Sequence, residues 1–279
     1  MTLSRRKFLT LSAGAMAGSI AATTGYLYAN NVAEQPVVEH IQIPLKNLPS
    51  ALEGLRIVWL SDFHLYPFTE LDLLQQAAAL AISLNPDVLI LGGDYVTREA
   101  EAMFELVPTL SGLDAKYGVF SIIGNHDIWT NVNVIEKGLA EAGIPILKNE
   151  GVTLNINNTP LYLAGVDDGW TGQPDLAAAM SNQPDGATTV LLAHEPDLAD
   201  QFSLDPRVSL QLSGHSHGGQ IRFQGIGAYI LPYLGQKYDM GLYRVNEMWL
   251  YTNRGLGNVT EPVRYNCAPE VTEITLVGG

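Results

Sequence analysis

Five short polar clusters, each directly after an apolar segment, constrain the fold of this chain more than any other feature. Each cluster contains a histidine, an aspartate or an asparagine, and the five are Asp62-Phe63-His64, Gly92-Gly93-Asp94, Gly124-Asn125-His126-Asp127, Ala193-His194-Glu195 and Gly214-His215-Ser216-His217-Gly218. The apolar segments before them have the length of buried β-strands. Because ligands bind beyond the carboxyl ends of such strands, the five clusters can converge on one site.

The first half of the chain has the pattern of an α/β fold. Helical periodicity over Leu71–Ser83, Glu99–Leu110 and Val132–Ala142 separates the apolar segments. Strands that alternate with helices predict a sheet that is covered on both faces. Val37–Leu45 alternates between apolar and polar residues, which predicts an edge strand.

The second half of the chain predicts a different strand arrangement. Gly151–Ile156 and Pro160–Val166 have the pattern of a hairpin around Asn157-Asn158. A short helix near Asp175–Met180 and another apolar segment, Thr189–Ala193, follow. The later strands mostly alternate, which favours antiparallel pairing; they are Val208–Leu212, Gln220–Phe223, Gly241–Val245, Met248–Thr252 and Val271–Val277. Because no linker interrupts the sequence, we expect one two-sheet α/β domain over residues 34–279.

Residues 1–33 have the composition of an address segment. Ser4-Arg5-Arg6-Lys7-Phe8-Leu9 opens a stretch without charge from Phe8 to Ala33. This pattern resembles a bacterial twin-arginine (Tat) signal. A single membrane anchor is the alternative, although the glycine and threonine content disfavours a spanning helix. We therefore expect the Tat machinery as a partner, export to the periplasm or the outer face of the membrane, and a membrane tether if the signal is not cleaved.

Charge and cysteine content exclude several classes of function. The chain has 29 acidic and 15 basic residues, and three of the bases lie within the first seven residues. An acidic body of this kind repels nucleic acid phosphates, so no nucleic acid partner is expected. The single cysteine excludes an intramolecular disulfide, and any metal must be held by His, Asp, Glu or Asn.

The histidines point to a metal centre. Five of the six lie in the polar clusters, whereas His40 lies on the polar face of the predicted edge strand. Imidazole, carboxylate and amide ligands suit manganese, iron or zinc. The candidate ligands are Asp62, His64, Asp94, Asn125, His194, His215 and His217. Seven ligands exceed the needs of one tetrahedral ion, and with one shared carboxylate they predict two divalent ions about 3.5–4 Å apart.

The order and spacing of the clusters, from about Leu55 to Gly219, resemble the calcineurin-like metallophosphoesterases. The resemblance implies a four-layer α/β/β/α sandwich with a dinuclear metal centre. The residues that it assigns are Asp62, His64 and His217 for the first ion, Asn125, His194 and His215 for the second, and Asp94 as the bridge.

The same resemblance implies the chemistry. It places His126 toward the substrate and gives Asp127 the task of orienting it. A metal-bound hydroxide is expected to attack phosphorus in line. A protonated His126 would stabilise charge on the phosphoryl oxygens and is a candidate donor to the leaving oxygen. We therefore expect hydrolysis of a phosphate ester or anhydride.

Motifs in the last third of the chain resemble the YaeI-type envelope phosphodiesterases. These motifs are Gly214-His215-Ser216-His217-Gly218-Gly219-Gln220-Ile221, Gly241-Leu242-Tyr243, Arg254-Gly255-Leu256-Gly257 and Pro269-Glu270-Val271. The resemblance implies a phosphodiester or pyrophosphate substrate that is linked to the envelope, a lipid or a nucleotide, such as UDP-2,3-diacylglucosamine. That lipid A precursor is made on the cytoplasmic side, so export would favour another envelope phosphodiester.

Two alternative functions stay open at this point. One is a broad phosphomonoesterase, because the same two ions serve both reactions. The other is a metal-dependent adaptor that binds the membrane or cell wall without turnover. The presence of His126 and Asp127, which metal binding does not need, counts against the adaptor.

Weaker signals have two interpretations each. The Asp167-Asp168 pair fits the YaeI-type branch or an acidic turn in solvent. For the aromatic residues Tyr66, Phe68 and Trp129 we favour core or rim packing over the lining of an apolar cleft. For Arg222, Arg254 and Arg264 we favour a surface position or a weak ion pair over contact with a second phosphate. Cys267 is most simply a packing residue.

Overall fold

The strands form in the apolar and alternating segments of the sequence. The computed structural model describes residues 35–279, so the predicted Tat signal lies outside the described residues. The strands of this part are β1 (Val37–Leu45), β2 (Arg56–Leu60), β3 (Val88–Leu91), β4 (Val119–Ser121), β5 (Glu150–Ile156), β6 (Thr159–Gly165), β7 (Thr188–Leu192), β8 (Val208–Ser213), β9 (Arg222–Phe223), β10 (Gly227–Ala228), β11 (Gly241–Val245), β12 (Met248–Thr252) and β13 (Glu270–Gly278).

The helices lie between these strands. The α-helices are α1 (Leu71–Ser83), α2 (Met103–Leu110), α3 (Asn125–Thr130), α4 (Val132–Glu141), α5 (Leu176–Ala179) and α6 (Ala199–Phe202). Short 3-10 helices occupy Ser50–Leu52, Ala100–Ala102, Pro196–Leu198 and His217–Gly219. The predicted helix over Glu99–Leu110 is therefore divided between a 3-10 turn and α2, and α3 was not predicted.

The first sheet has the order β1-β13-β2-β3-β4. The neighbours β2, β3 and β4 are parallel, as the alternation with helices predicts. The edge position of β1 is also confirmed. The last strand, β13, enters between β1 and β2, parallel to the former and antiparallel to the latter.

The second sheet has the order β11-β12-β8-β7-β6-β5. Its four central strands are parallel, so the prediction of mostly antiparallel pairing was wrong for this half. Only the two edge pairs of this sheet are antiparallel. The cause is burial on both faces, which removes the need for a polar face and permits parallel crossovers.

The hairpin at one edge of the second sheet confirms the predicted turn. Asn157 and Asn158 both have positive φ, of 48° and 64°. Two left-handed residues between paired strands are typical of a type I′ turn, whose twist matches that of the strands. Asparagine tolerates this conformation better than most residues.

Three apolar layers hold the two sheets and the helices together. Val58 and Leu91 of the first sheet pack against α1, α2 and α4 in one layer. Ile57 and Ile90 point the opposite way, into a layer shared with the second sheet. A third layer covers the outer face of the second sheet, where Leu191 packs near Phe202 of α6. Helices, sheet, sheet and outer helices thus form the predicted four-layer α/β/β/α sandwich.

The helix pattern explains why α1 packs where it does. Its buried residues Leu74, Ala77, Ala78 and Ala81 recur at intervals of three and four, which places them on one face.

Within residues 35–279, none of the helices is both long enough and apolar enough to cross a membrane.

Candidate metal centre

The polar clusters meet at one edge of the two sheets. Each candidate ligand follows a parallel strand by two to four residues, with Asp62 and His64 after β2, Asp94 after β3, Asn125 after β4, His194 after β7, and His215 and His217 after β8. All seven side chains are buried. The convergence of carboxyl ends therefore brings together the residues that the sequence singled out.

Asp62, His64 and His217 form one group of possible metal ligands. Their ligand atoms lie within 4.8 Å of one another. The Nε2 atom of His217 is 3.3 Å from Oδ1 of Asp62. The backbone N–H of His215 donates to both oxygens of Asp62, which fixes the orientation of that carboxylate.

Asp94, His194 and His215 form a second group, which also fits within 4.8 Å. The Nε2 atom of His194 is 3.1 Å from Oδ2 of Asp94. The Nε2 atom of His64, from the first group, is 3.3 Å from the same oxygen. One carboxylate oxygen thus lies between histidines of both groups.

Most candidate ligands have an unusual backbone conformation. Asp62, His64, Asp94, His215 and His217 have φ between 46° and 66°. Non-glycine residues seldom adopt this left-handed region, and their strain is tolerated where the surrounding structure demands it. The backbones of these ligand residues therefore form the turns at the strand ends. Their residue types alone do not predict this conformation.

The glycines beside the ligands have two different roles. Gly93 has positive φ, as a tight turn requires, but Gly124 is extended and Gly214 is not among the positive-φ residues of the described chain. A Cβ atom on Gly124 would overlap Oδ1 of Asp94, and one on Gly214 would overlap Oδ2 of Asp62. These two glycines make space for the carboxylates.

Burial and charge set the protonation of the site. Burial lowers the pKa of His64 and of His215 to about 4, so both imidazoles are neutral at pH 7. Burial also disfavours the charged form of His194, but Asp94 and Asp62 outweigh it and hold the pKa of His194 well above its usual value. A protonated His194 thus offsets part of the carboxylate charge in the metal-free protein.

Two buried atoms test whether these residues fit a cation. Nδ1 of His194 lies 2.7 Å from the carbonyl oxygen of Gly92, an arrangement that aims Nε2 into the site. Within residues 35–279, Oδ1 of Asn125 has no hydrogen-bond partner, and Nε2 of His194, although 3.1 Å from Oδ2 of Asp94, makes no hydrogen bond of acceptable geometry. Buried polar atoms without partners are costly, and a divalent cation would satisfy both.

Comparison with known proteins identifies the fold and the family. The sequence profile described as "Calcineurin-like phosphoesterase" matches residues 55–219, more than half of the chain. The chain belongs to the calcineurin-like phosphoesterases. It is therefore a metal-dependent phosphoesterase, a hydrolase whose clustered His and Asp residues form a divalent metal site.

Similar proteins cover nearly the whole chain. The sequence is 34% identical over 98% of its length to the uncharacterized metallophosphoesterase YkuE of Bacillus subtilis, 98% of which is matched. It is 35% identical over 99% of its length to phosphodiesterase YaeI of Escherichia coli, all of which is matched. The crystal structure of TT1561 of Thermus thermophilus superimposes over 73% of this chain and 90% of its own, with a TM-score of 0.50 and 14% identity, which shows a shared fold.

His126 lies beside the phosphoesterase metal site, but Asp127 does not orient it. Nδ1 of His126 is 3.1 Å from the carbonyl oxygen of Thr97, and the ring lines the cavity. Asp127 instead accepts the backbone N–H groups of Asp94, Tyr95 and Gly124. The expectation that Asp127 orients His126 was therefore wrong, because the carboxylate lies behind the strand ends and holds their backbone.

His126 also has the geometry of a possible ligand. One of its ring nitrogens lies within 4.8 Å of ligand atoms of His64 and Asp94. Its backbone N–H donates to Oδ1 of Asp94 at 2.8 Å. The structure thus couples His126 to the shared carboxylate through the main chain.

A cavity of about 630 Å³ opens over the metal site. Trp129 lines it, so the cleft interpretation, which was not the favoured one, holds for this residue, whereas Tyr66 and Phe68 are not among the lining residues. Tyr66 donates to Glu105, and Phe68 lies against Arg98. Trp170 also lines the cavity and was missed, although its place just after β6 and Asp168 was a usable signal.

Asp168 is not part of a turn in solvent. It is fully buried and accepts the N–H groups of Thr171 and Gly172, which closes the loop that carries Trp170. The ring centroid of Trp170 lies 4.8 Å from that of Trp129 and 5.7 Å from that of His215. Asp168 thereby positions an aromatic wall beside the site.

The three arginines considered as phosphate contacts have other partners. In the described chain none lines the cavity. Arg222 pairs with Asp239, and Arg254 pairs with Glu270. Arg264 is buried rather than at the surface, and it donates to the carbonyl oxygens of Arg254 and Cys267. Cys267 is buried among these groups, in agreement with a packing residue.

Proposed function

We propose that this phosphoesterase holds two divalent ions, of manganese, iron or zinc, and hydrolyses phosphodiester or pyrophosphate bonds. The observation that carries the proposal is the oxygen of Asp94 that lies 3.1 Å from His194 and 3.3 Å from His64. A carboxylate shared by two ligand groups suits a pair of ions. The proposed ligands are Asp62, His64 and His217 for one ion, Asn125, His194 and His215 for the other, and Asp94 for both.

The chain's own residues would share the work of catalysis. When bound, the ions supply a water of lowered pKa and neutralise the phosphoryl oxygens. Asn125, His215 and His217 line the cavity, where they would hold the ions in place. His126 faces the same space, where its ring can donate a hydrogen bond to a phosphoryl oxygen or to the leaving oxygen. The backbone bonds of Asp127 keep the ends of β3 and β4 in register beneath it.

The cavity favours a substrate with an apolar or aromatic group beside the phosphate. Trp129, Trp170, Tyr229 and Ile230 stand around its opening. A diester or pyrophosphate places a second substituent next to the reacting phosphorus, and these side chains offer a surface for it. The name of the relative phosphodiesterase YaeI supports a diester. The proposed class is thus a lipid-linked or nucleotide-linked phosphate of the envelope.

Comparative turnover tests this proposal. The full-length chain, loaded with manganese, would be assayed on bis-p-nitrophenyl phosphate and on p-nitrophenyl phosphate, with metal content measured in parallel. We expect faster turnover of the diester and two ions per chain. Preferred hydrolysis of the monoester would contradict the diester assignment and support a broad phosphomonoesterase, and one ion per chain would contradict the dinuclear centre. UDP-2,3-diacylglucosamine is a natural compound of this class to assay next.

We further propose that residues 1–33 direct the protein through the Tat pathway to the periplasm or the outer face of the membrane. The support is the Arg5-Arg6 pair before an uncharged segment. The substitution Arg5→Lys/Arg6→Lys should leave the protein in the cytoplasmic fraction, while the unaltered chain is found outside it. Equal fractionation of both forms would contradict the proposal.

A further inference from the structure

Exposed apolar side chains are concentrated around the opening of the cavity. In the described chain eleven large apolar or aromatic residues are exposed. Four of them line this cavity, and two more lie within four residues of a lining residue along the sequence. We call these six the apolar collar; they are Trp129, Trp170, Ile226, Tyr229, Ile230 and Tyr233. Contiguous exposed apolar surface on a water-soluble body marks an interaction site, whereas single exposed residues need no explanation.

The collar is built into the fold at the metal site. Ile226 lies in the turn between β9 and β10, and the N–H of Tyr229 donates to the carbonyl oxygen of Ile221. The carbonyl oxygen of Tyr233 lies 2.7 Å from Nε2 of His215. The ring centroid of Tyr233 is also 5.6 Å from that of Trp170. The collar therefore has a defined position relative to the reacting region.

The degree of exposure is high for aliphatic side chains. Ile226 is 83% exposed and Ile230 is 68% exposed. No charged residue occurs from Phe223 to Gln236, in a chain whose net charge is −14. The tyrosines and tryptophans add rings with a polar edge, which is the composition of side chains that lie at a membrane–water interface.

The chain enters the described fold at the same edge. Val37, at the start of β1, pairs with Glu270, at the start of β13. The N–H of Glu270 donates to Gly255, which packs against Asp62 of the metal site. The uncharged segment Phe8–Ala33 therefore connects to the fold on the side that carries the collar.

We infer that the apolar collar seats the protein on a lipid surface and that the phosphoester group of a lipid enters the cavity from that surface. A protein partner on the collar would close the cavity, whereas a lipid surface both covers the collar and supplies substrate. The inference rests on the proposed function, because it requires that the reaction takes place in this cavity. It adds a docking surface and limits the substrate to a phosphate carried by a lipid.

The net negative charge of the protein should make its binding to a membrane depend on salt concentration. The acidic chain and an anionic membrane repel each other, and salt screens this repulsion over about 10 Å at 0.1 M. Apolar contact, unlike attraction between opposite charges, is not weakened by that screening. Binding to anionic vesicles should therefore become stronger as salt is raised.

A sedimentation assay with vesicles tests the inference. The full-length chain would be mixed with vesicles of phosphatidylethanolamine and phosphatidylglycerol, and the bound fraction compared with that of Ile226→Ser/Ile230→Ser. The matched control is Ile82→Ser/Leu204→Ser, which alters two exposed aliphatic residues before β3 and before β8, at the opposite edge of the sheets. We expect about tenfold weaker binding for the collar variant and less than a twofold change for the control.

Several outcomes would overturn the docking surface. These are equal binding of the collar variant and the parent, equal losses in the collar and control variants, and weaker binding at higher salt. A fourth is an environment-sensitive fluorescent label on Ile226→Cys whose emission does not change when vesicles are added, as expected if residues 1–34 cover the collar. Cys267 is buried and would remain unlabelled.

Turnover of bis-p-nitrophenyl phosphate by the parent separates this inference from the proposed function. Diester turnover together with equal vesicle binding of parent and collar variant would overturn the docking surface alone. Collar-dependent vesicle binding without diester turnover would support the surface and contradict the reaction.

Discussion

A single carboxylate, that of Asp94, links both histidine groups of the site. Asp94→Asn keeps the shape of the side chain but removes its charge. We expect loss of metal and a fall in diester turnover of about a thousandfold, equivalent to ~4 kcal/mol of transition-state stabilisation. Metal analysis and turnover measure the two effects. Asp72→Asn, at an exposed position of α1, is the matched control and should change neither.

His126 is the residue whose loss should separate catalysis from metal binding. Its ring faces the cavity and contacts Thr97 rather than Asp127. In His126→Gln we expect diester turnover to fall about 100-fold to 1000-fold, because a donor to the phosphoryl or leaving oxygen is lost. Metal content should equal that of the parent. Joint loss of metal would instead make His126 a ligand, as its distance to His64 and Asp94 permits.

At the scale of elements, the loop between β12 and β13 can pack against the metal site because Gly255 has no side chain. Gly255 has a φ of 70°, and a Cβ atom there would lie 2.7 Å from Cβ of Asp62. Gly241 has a φ of 88° and open space around it. Alanine at either position costs about 1 kcal/mol for the left-handed backbone. Only Gly255→Ala should also displace Asp62.

Thermal unfolding and metal titration distinguish the two glycine variants. Both should melt at a slightly lower temperature than the parent, and only Gly255→Ala should bind metal more weakly. Equal metal affinity in the two variants would show that the loop does not hold Asp62 in place.

At the scale of the whole molecule, metal binding and stability are linked. Metal ions that bind only the folded state at about 100 times the dissociation constant add ~2.7 kcal/mol to the free energy of unfolding. For a chain of this size that corresponds to a rise in melting temperature of about 5–10 °C. Scanning calorimetry with manganese and with a chelator measures the difference. An unchanged melting temperature would contradict a folded-state metal site.

Metal binding should also release a proton. The pKa of His194 is well above its usual value in the metal-free protein, so His194 is protonated at pH 7, and only neutral imidazole binds metal. Binding should therefore release the proton of His194, in addition to any proton lost by a metal-bound water, and become stronger as pH rises. Calorimetric titration in buffers of different ionisation enthalpy counts that proton. His64 and His215, with pKa values of about 4, should release none.

Local sequence pattern was sufficient for much of the fold and of the site. Apolar segments of four to five residues predicted β2, β3 and β7, and the Asn157-Asn158 pair predicted its hairpin, because strand length and turn chemistry are properties of neighbouring residues. The same local pattern predicted that the polar clusters lie at strand ends. The resemblance to the family then followed from their order, and the profile match over residues 55–219 confirmed it.

Tertiary structure decided what depends on distant partners. Alternation in the second half did not reveal parallel pairing or the entry of β13 into the first sheet, because pairing is chosen by which faces become buried. It did not show that Thr97 rather than Asp127 faces the His126 ring. The left-handed ligands are equally invisible in a one-dimensional pattern, and the charge-free stretch Phe223–Gln236 does not show that its apolar residues lie beside Trp129 and Trp170 at the cavity. Residue types therefore determined the chemistry of the site, and long-range packing determined its geometry and its surroundings.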